Sequence, residues 1–185
     1  MRRGVPVVVV LAMAIALAPG CSDEDSASDT TTAATTSVSP VAPGEAPILR
    51  VDQIHAAIAA VEAERGGPQE YFEINATPAL VNVFVADVEA GQVIPYTYVD
   101  GELSAAEPSD AEGNTFDAAA IDFDPSSVTQ RVTEELAGST QDAFVIEGGP
   151  DGAIRRTVVV TSEAGGQLLV VVGPDGAVIS VDAVE

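Results

Sequence analysis

Between residues 48 and 185 the chain runs through the same pattern twice. The stretch EAGQVIPYTYVDGEL at 89–103 aligns with EAGGQLLVVVGPDGAV at 163–178 once a single glycine is inserted. Upstream, Phe72-Glu73-Ile74 aligns with Phe144-Val145-Ile146, and the apolar stripe Ile54/Ile58 with Val128/Val132. The offsets of these matches are 75, 72 and 74 residues, so the register holds across the span. A period of this kind is the mark of one supersecondary unit used more than once, and it constrains the fold more than any local propensity does.

Each copy reads as a helix followed by strands. In the first, Ile54, Ala57, Ile58 and Val61 fall at i, i+3, i+4 and i+7 between Asp52 and the breaker Gly66-Gly67-Pro68. In the second, Asp124 is a good N-cap, Pro125 takes the first helical position, Val128, Val132 and Leu136 form the stripe, and Gly138 stops it. The alternation predicts strands at 70–75, 79–88, 92–99 and 102–105, then at 142–147, 153–162, 167–172 and 177–183. Asp100-Gly101 and the two Gly-Pro-Asp-Gly sequences at 149–152 and 173–176 supply hairpin chemistry. Links this short join antiparallel neighbours. The fold class expected is therefore α+β, as two tandem units, each one helix followed by a three- to four-stranded antiparallel meander: 48–106 and 123–185, with an acidic linker at 107–122.

Such a unit resembles the PepSY and cystatin-like modules of bacterial envelope proteins. The better match is 128–184, ending VVVGPDGAVISVDAV, where Pro-Asp-Gly stands in place of a Thr-Gly turn. Two units in tandem are also similar in architecture to the secreted β-lactamase inhibitor proteins. These resemblances imply a binding or inhibitory module and assign no catalytic residue.

The address is written in residues 1–20. Arg2 and Arg3 precede the apolar run VPVVVVLAMAIAL at 5–17, and Ala18-Pro19-Gly20 lead to Cys21. This is the layout of a signal peptide. Its 13-residue apolar run is shorter than the ~20 residues that span a bilayer, which disfavours a retained anchor. The leader resembles that of bacterial lipoprotein precursors, although Ala18 stands where a Leu is usual. The resemblance implies that Cys21 is lipidated and becomes the new N-terminus, with ordinary secretion as the other reading of the same residues. Residues 22–47 are rich in Ser, Thr, Ala, Pro and acids and hold almost no large apolar side chain, so they are expected to form a disordered stalk. As a flexible coil its reach is about 25–30 Å.

Charge excludes one class of partner. With 29 Asp and Glu against 7 Arg and no Lys, the net charge is -22, and phosphate neutralisation has no basic cluster to draw on. No nucleic acid is expected. A single Cys, at the leader boundary, leaves no internal disulfide framework and no Cys-rich zinc site.

Catalytic parts are scarce. His55 is the one histidine and sits beside the first helical stripe, where a structural or surface role outweighs that of a general base. The serines stand in no nucleophile-elbow setting. With 29 acids, no particular carboxylate pair can be singled out. No enzyme activity and no cofactor are expected. A weak Ca²⁺ candidate is the oxygen set Asp110, Glu112, Asn114 and Asp117, whose glycine is misplaced for an EF-hand loop, so that an acidic linker is the plainer reading.

The strands carry the last clue. Ile94, Tyr96 and Tyr98 share one strand face; Leu80, Phe84, Ala86 and Val88 share one face of the preceding strand, with Val81, Val83 and Val85 on its other. Both sheet faces are apolar, and a helix covers only one. Either the two units bury these faces against each other and in their own cores, or the second face meets a partner or ligand, in which case Tyr96, Tyr98 and Phe84 are the expected binding residues. The function expected is recognition or inhibition of an envelope or secreted protein by a lipid-anchored extracytoplasmic chain, with a carrier of lipid or another apolar ligand as the alternative.

Overall fold

The structure, a computed structural model, describes residues 48–184. The leader, Cys21 and the stalk lie outside the described residues. Helix α1 (Ile54–Arg65) follows a short 3-10 turn at Val51–Gln53 and ends on Gly66, whose φ of 82° is the left-handed conformation that closes a helix without a Cβ penalty. Helix α2 (Pro125–Glu135) starts where Asp124 accepts the Ser126 N–H. Around them run β1 (Glu70–Ala76), β2 (Val81–Asp87), β3 (Gln92–Val99), β4 (Glu102–Ala105), β5 (Ser109–Asp110), β6 (Phe116–Asp117), β7 (Thr140–Gly148), β8 (Ile154–Thr161), β9 (Gln167–Val172) and β10 (Val178–Ala183).

The expectation of two tandem helix-plus-meander units is overturned. All ten strands belong to one antiparallel sheet in the order β10-β9-β8-β7-β1-β2-β3-β4, with β5 added to β3 and β6 to β1. The joint is the pairing of β1 with β7, in which Ile74 faces Ile146 and Ala76 faces Phe144. The physical reason is the edge problem. As first strands of separate meanders, β1 and β7 would each expose a row of unpaired N–H and C=O groups along an apolar strand, and pairing satisfies both rows at once. The two stretches that align in sequence thus overlap one ladder, which pairs 73–76 with 144–147 and sets Ile74 opposite Ile146.

One core follows from one sheet. Ile54, Ala57, Ile58 and Val61 of α1 and Val128 and Val132 of α2 belong to the same buried cluster as Tyr71, Ile74, Val83, Tyr96, Phe144, Ile146, Val158 and Val170. Burying each such aliphatic side chain contributes about 1.5–3 kcal/mol. Bulges keep the apolar set on this side. The irregularity between Tyr71 and Glu73 lets Tyr71 and Ile74, three residues apart, both face the helices, which strict alternation would forbid.

Residues 107–122, expected as a linker between units, are built into the sheet. The Ala111 N–H donates to the Gly91 carbonyl, and Phe116 of β6 pairs with Tyr71. The chain passes so close to β7 that a Cβ on Gly148 would collide with the Asn114 carbonyl. At the other end, the Arg50 guanidinium donates to Asp100 at 2.6 Å and to the Pro78 carbonyl at 3.1 Å, tying the segment before α1 to two strand connections.

Candidate functional site

Since both helices lie on one side, no helix covers the second face of the sheet among the described residues. Its composition follows from register. Asn75 stands beside Asn82, Asn82 beside Thr97, and Thr97 beside Ser104; in the other direction Asn75 stands beside Val145, Val145 beside Thr157, and Thr157 beside Val171. The neighbouring row runs Pro95, Phe84, Glu73, Glu147, Arg155. Val159 and Leu169 stand together in the row beyond. The face groups Val145, Val159, Leu169 and Val171 on the β7–β9 side and Asn75, Asn82, Thr97 and Ser104 across β1–β4, with Glu73, Glu147 and Arg155 in the row beside them.

The polar part is a directed chain of hydrogen bonds. Thr97 Oγ1 donates to Asn82 Oδ1 at 3.0 Å, Asn82 Nδ2 to Asn75 Oδ1 at 3.0 Å, and Asn75 Nδ2 to Glu73 Oε1 at 2.7 Å. Every donor in the chain points toward the Glu73 carboxylate. Glu73 stands directly opposite Glu147. Burial raises the Glu73 pKa above the ordinary carboxylate value and the negative charge of Glu147 raises it further, while the bond from Asn75 works the other way. Beside this row, Thr157 is only 5% exposed, and its Oγ1 has no hydrogen-bond partner. A buried hydroxyl without a partner is costly, and few are tolerated in a folded protein.

The expected binding residues do not assemble on this surface. Tyr96 stands beside Val83 and is 4% exposed, and Tyr98 packs against the core from the same side. Phe84 stands beside Pro95 on the opposite, uncovered face. Tyr96 therefore fills the core under the helices, and Tyr98 packs against its edge. Asp110 and Asp117 pair with β3 and β1 respectively, on opposite sides of the three strands β1–β3. Glu112 and Asn114 lie exposed in the crossing between them, and among the described residues no three His, Cys, Asp or Glu form a metal-holding group. His55 is exposed on α1, and Asp124 lies near enough to feel its charge.

Sequence reasoning missed Glu73, Asn75, Asn82, Thr97, Glu147 and Thr157. A signal existed in Asn82, a poor strand former set inside the run VNVFV. What brings Glu73 against Glu147 is the β1–β7 register, which no local pattern announces.

On the helix side there are other candidates, each with less to offer a ligand. A cleft of about 490 Å³ lies between Ile48–Asp52 and α2, lined by Leu49, Val51, Thr129, Thr133 and Gln141 among others. Its polar groups are occupied with one another: Gln141 donates to the Thr129 carbonyl and to the Thr133 hydroxyl. Arg156 lies over the Phe123 ring at 4.4 Å and 4.0 Å from Asp122, with its Nε unpartnered, and burial lowers its pKa. Tyr71 donates to Glu62 at 3.3 Å, and its phenol pKa is raised by burial and then by that carboxylate's charge.

No protein-family model matches the chain, and no curated protein matches it in sequence. A solved structure is similar in fold. It is that of a candidate lipoprotein from Clostridium difficile 630, with a TM-score of 0.51, 10% identity, and coverage of 76% of this chain and 96% of that one. The likeness establishes a shared fold. Among the described residues no helix is long and apolar enough to cross a membrane.

Proposed function

We propose that the protein is a lipid-anchored, extracytoplasmic recognition module that docks an envelope or secreted protein on the uncovered face of its sheet, without catalysing a reaction on it. The observation that carries this reading is the one-sidedness of the fold. Both helices and the apolar core they cover lie on one side, leaving Phe84, Val145, Val159, Leu169 and Val171 part-exposed on a face with no helix over it among the described residues. Such a patch, apolar and edged by polar groups, has the make-up of a protein-binding surface. The anchor rests on the leader ending in Cys21, and the shared fold with a candidate lipoprotein agrees with it. The carrier alternative needs an apolar cavity between helices and sheet, a space here filled by core side chains.

Two arms test the reading in the native envelope. A photo-crosslinking residue at Val171 is expected to capture one defined protein, while the same residue at Ala63 on the exposed side of α1 captures none. Equal capture from both positions overturns the docking face. Cys21→Ala is expected to move the protein from the membrane to the soluble fraction, and retention in the membrane overturns the anchor.

A further inference from the structure

Resting on that docking reading, we propose that the partner protein places a cationic side chain, an arginine or a lysine, on the paired carboxylates of Glu73 and Glu147 on the face that no helix covers. The β1–β7 register sets these two acids directly opposite one another. One Glu73 oxygen is held by Asn75, which fixes the carboxylate against its neighbours; among the described residues Glu147 takes no side-chain hydrogen bond and no ion pair within 4.0 Å. Arg155 stands in register with Glu147 on the far strand but is exposed and pairs with no acid at that distance.

Two carboxylates side by side repel unless a cation lies between them, and a chain of net charge -22 selects a basic partner. Two further features fit this occupant. The Phe84 ring, next to Glu73 in the same row, offers an aromatic face to the cation or its aliphatic stem. Thr157, diagonal to Glu147 across β7–β8 on the same face, has a buried hydroxyl with no partner in this structure. Asn75, Asn82 and Thr97 hold the carboxylate in place without neutralising it. Because Arg155 is the one positive side chain within this row, it acts as an internal competitor for Glu147.

The test uses the mature protein and two small probes: Nα-acetyl-arginine methylamide and its neutral citrulline counterpart. The side-chain amide signals of Asn75 and Asn82 are followed by NMR. The arginine probe is expected to shift them saturably and the citrulline probe to leave them in place. Glu73→Gln and Glu147→Gln should each weaken the response at least fivefold, Glu64→Gln on α1 should leave it unchanged, and Arg155→Gln should strengthen it. Because glutamine keeps the shape and the acceptor, and removes repulsion, Glu73→Gln is expected to raise Tm while losing the probe, a combination that a purely structural glutamate does not give. Shifts spread evenly over the acidic surface, or an unchanged response in both variants, overturn the cation site. If crosslinking from Val171 still captures its partner in those variants with undiminished yield, the docking face stands and the cation site alone falls.

Discussion

Val170 and Val171 are neighbours in β9 with identical side chains, yet Val170 is fully buried on the helix side and Val171 looks onto the uncovered face. The same contrast runs through Ile146 and Val145 in β7, and through Val83 and Asn82 in β2. Coverage, more than composition, separates the two faces. On the helix side alternate residues interlock with Ile54, Val61, Val128 and Val132, so each methyl group has partners all round. On the other side a similar row of aliphatic groups meets its strand neighbours and then solvent. A protein that needed the second face only for stability would gain by making it polar throughout.

The sharpest way to break this comparison is truncation on either side of one strand. Ile146→Ala should cost about 3 kcal/mol in chemical denaturation, since it opens a cavity at the β1–β7 joint, whereas Val145→Ala should cost less than about 1 kcal/mol. Equal losses would mean that something outside the described residues packs on the second face. Next in size is Thr157→Val. It keeps the shape, removes a buried hydroxyl that has no partner, and should raise the denaturation midpoint by an amount equivalent to about 1 kcal/mol.

The smallest effect is a pH dependence. In the folded state the Glu73 pKa lies above its ordinary value of 4.5, so the native protein holds this proton more tightly than the unfolded chain. This group's contribution to stability is therefore greatest below pH 4.5 and is lost as pH rises through the raised value. Glu73→Gln should melt above the wild type at pH 8, by a margin that shrinks toward pH 4, in calorimetry at matched ionic strength.

Much of the local structure was legible. The eight longer strands lie within two residues of their predicted bounds, and Asp124-Pro125 opens α2 as its capping chemistry requires. The internal alignment, by contrast, points to two units where the structure has one sheet. Phe72-Glu73-Ile74 and Phe144-Val145-Ile146 looked like equivalent parts of separate units because similarity at a distance does not reveal contact. Their antiparallel pairing is a tertiary fact, and the site depends on it, since Glu73 and Glu147 meet nowhere else. Alternation within a strand shows that Tyr96 and Tyr98 share a face but not which face the helices cover; that follows from the cross-strand register that puts Tyr96 beside Val83. The two-residue strands β5 and β6 are too short to carry any period at all.

The β1–β7 joint also sets the order of events when the chain first folds. Ile74 and Ile146 are partners in the middle of the sheet but lie 72 residues apart. When the chain emerges from its N-terminus, α1 and β1–β4 are complete while the β7 side of β1 still has no neighbour. That edge must wait for α2, the acidic crossing and β7 to follow. Long-range closure of this kind slows folding, and an unpaired apolar strand is the part of an intermediate most prone to join another molecule. The excess of acids gives this period its protection, because two half-finished chains repel each other before their open edges can meet.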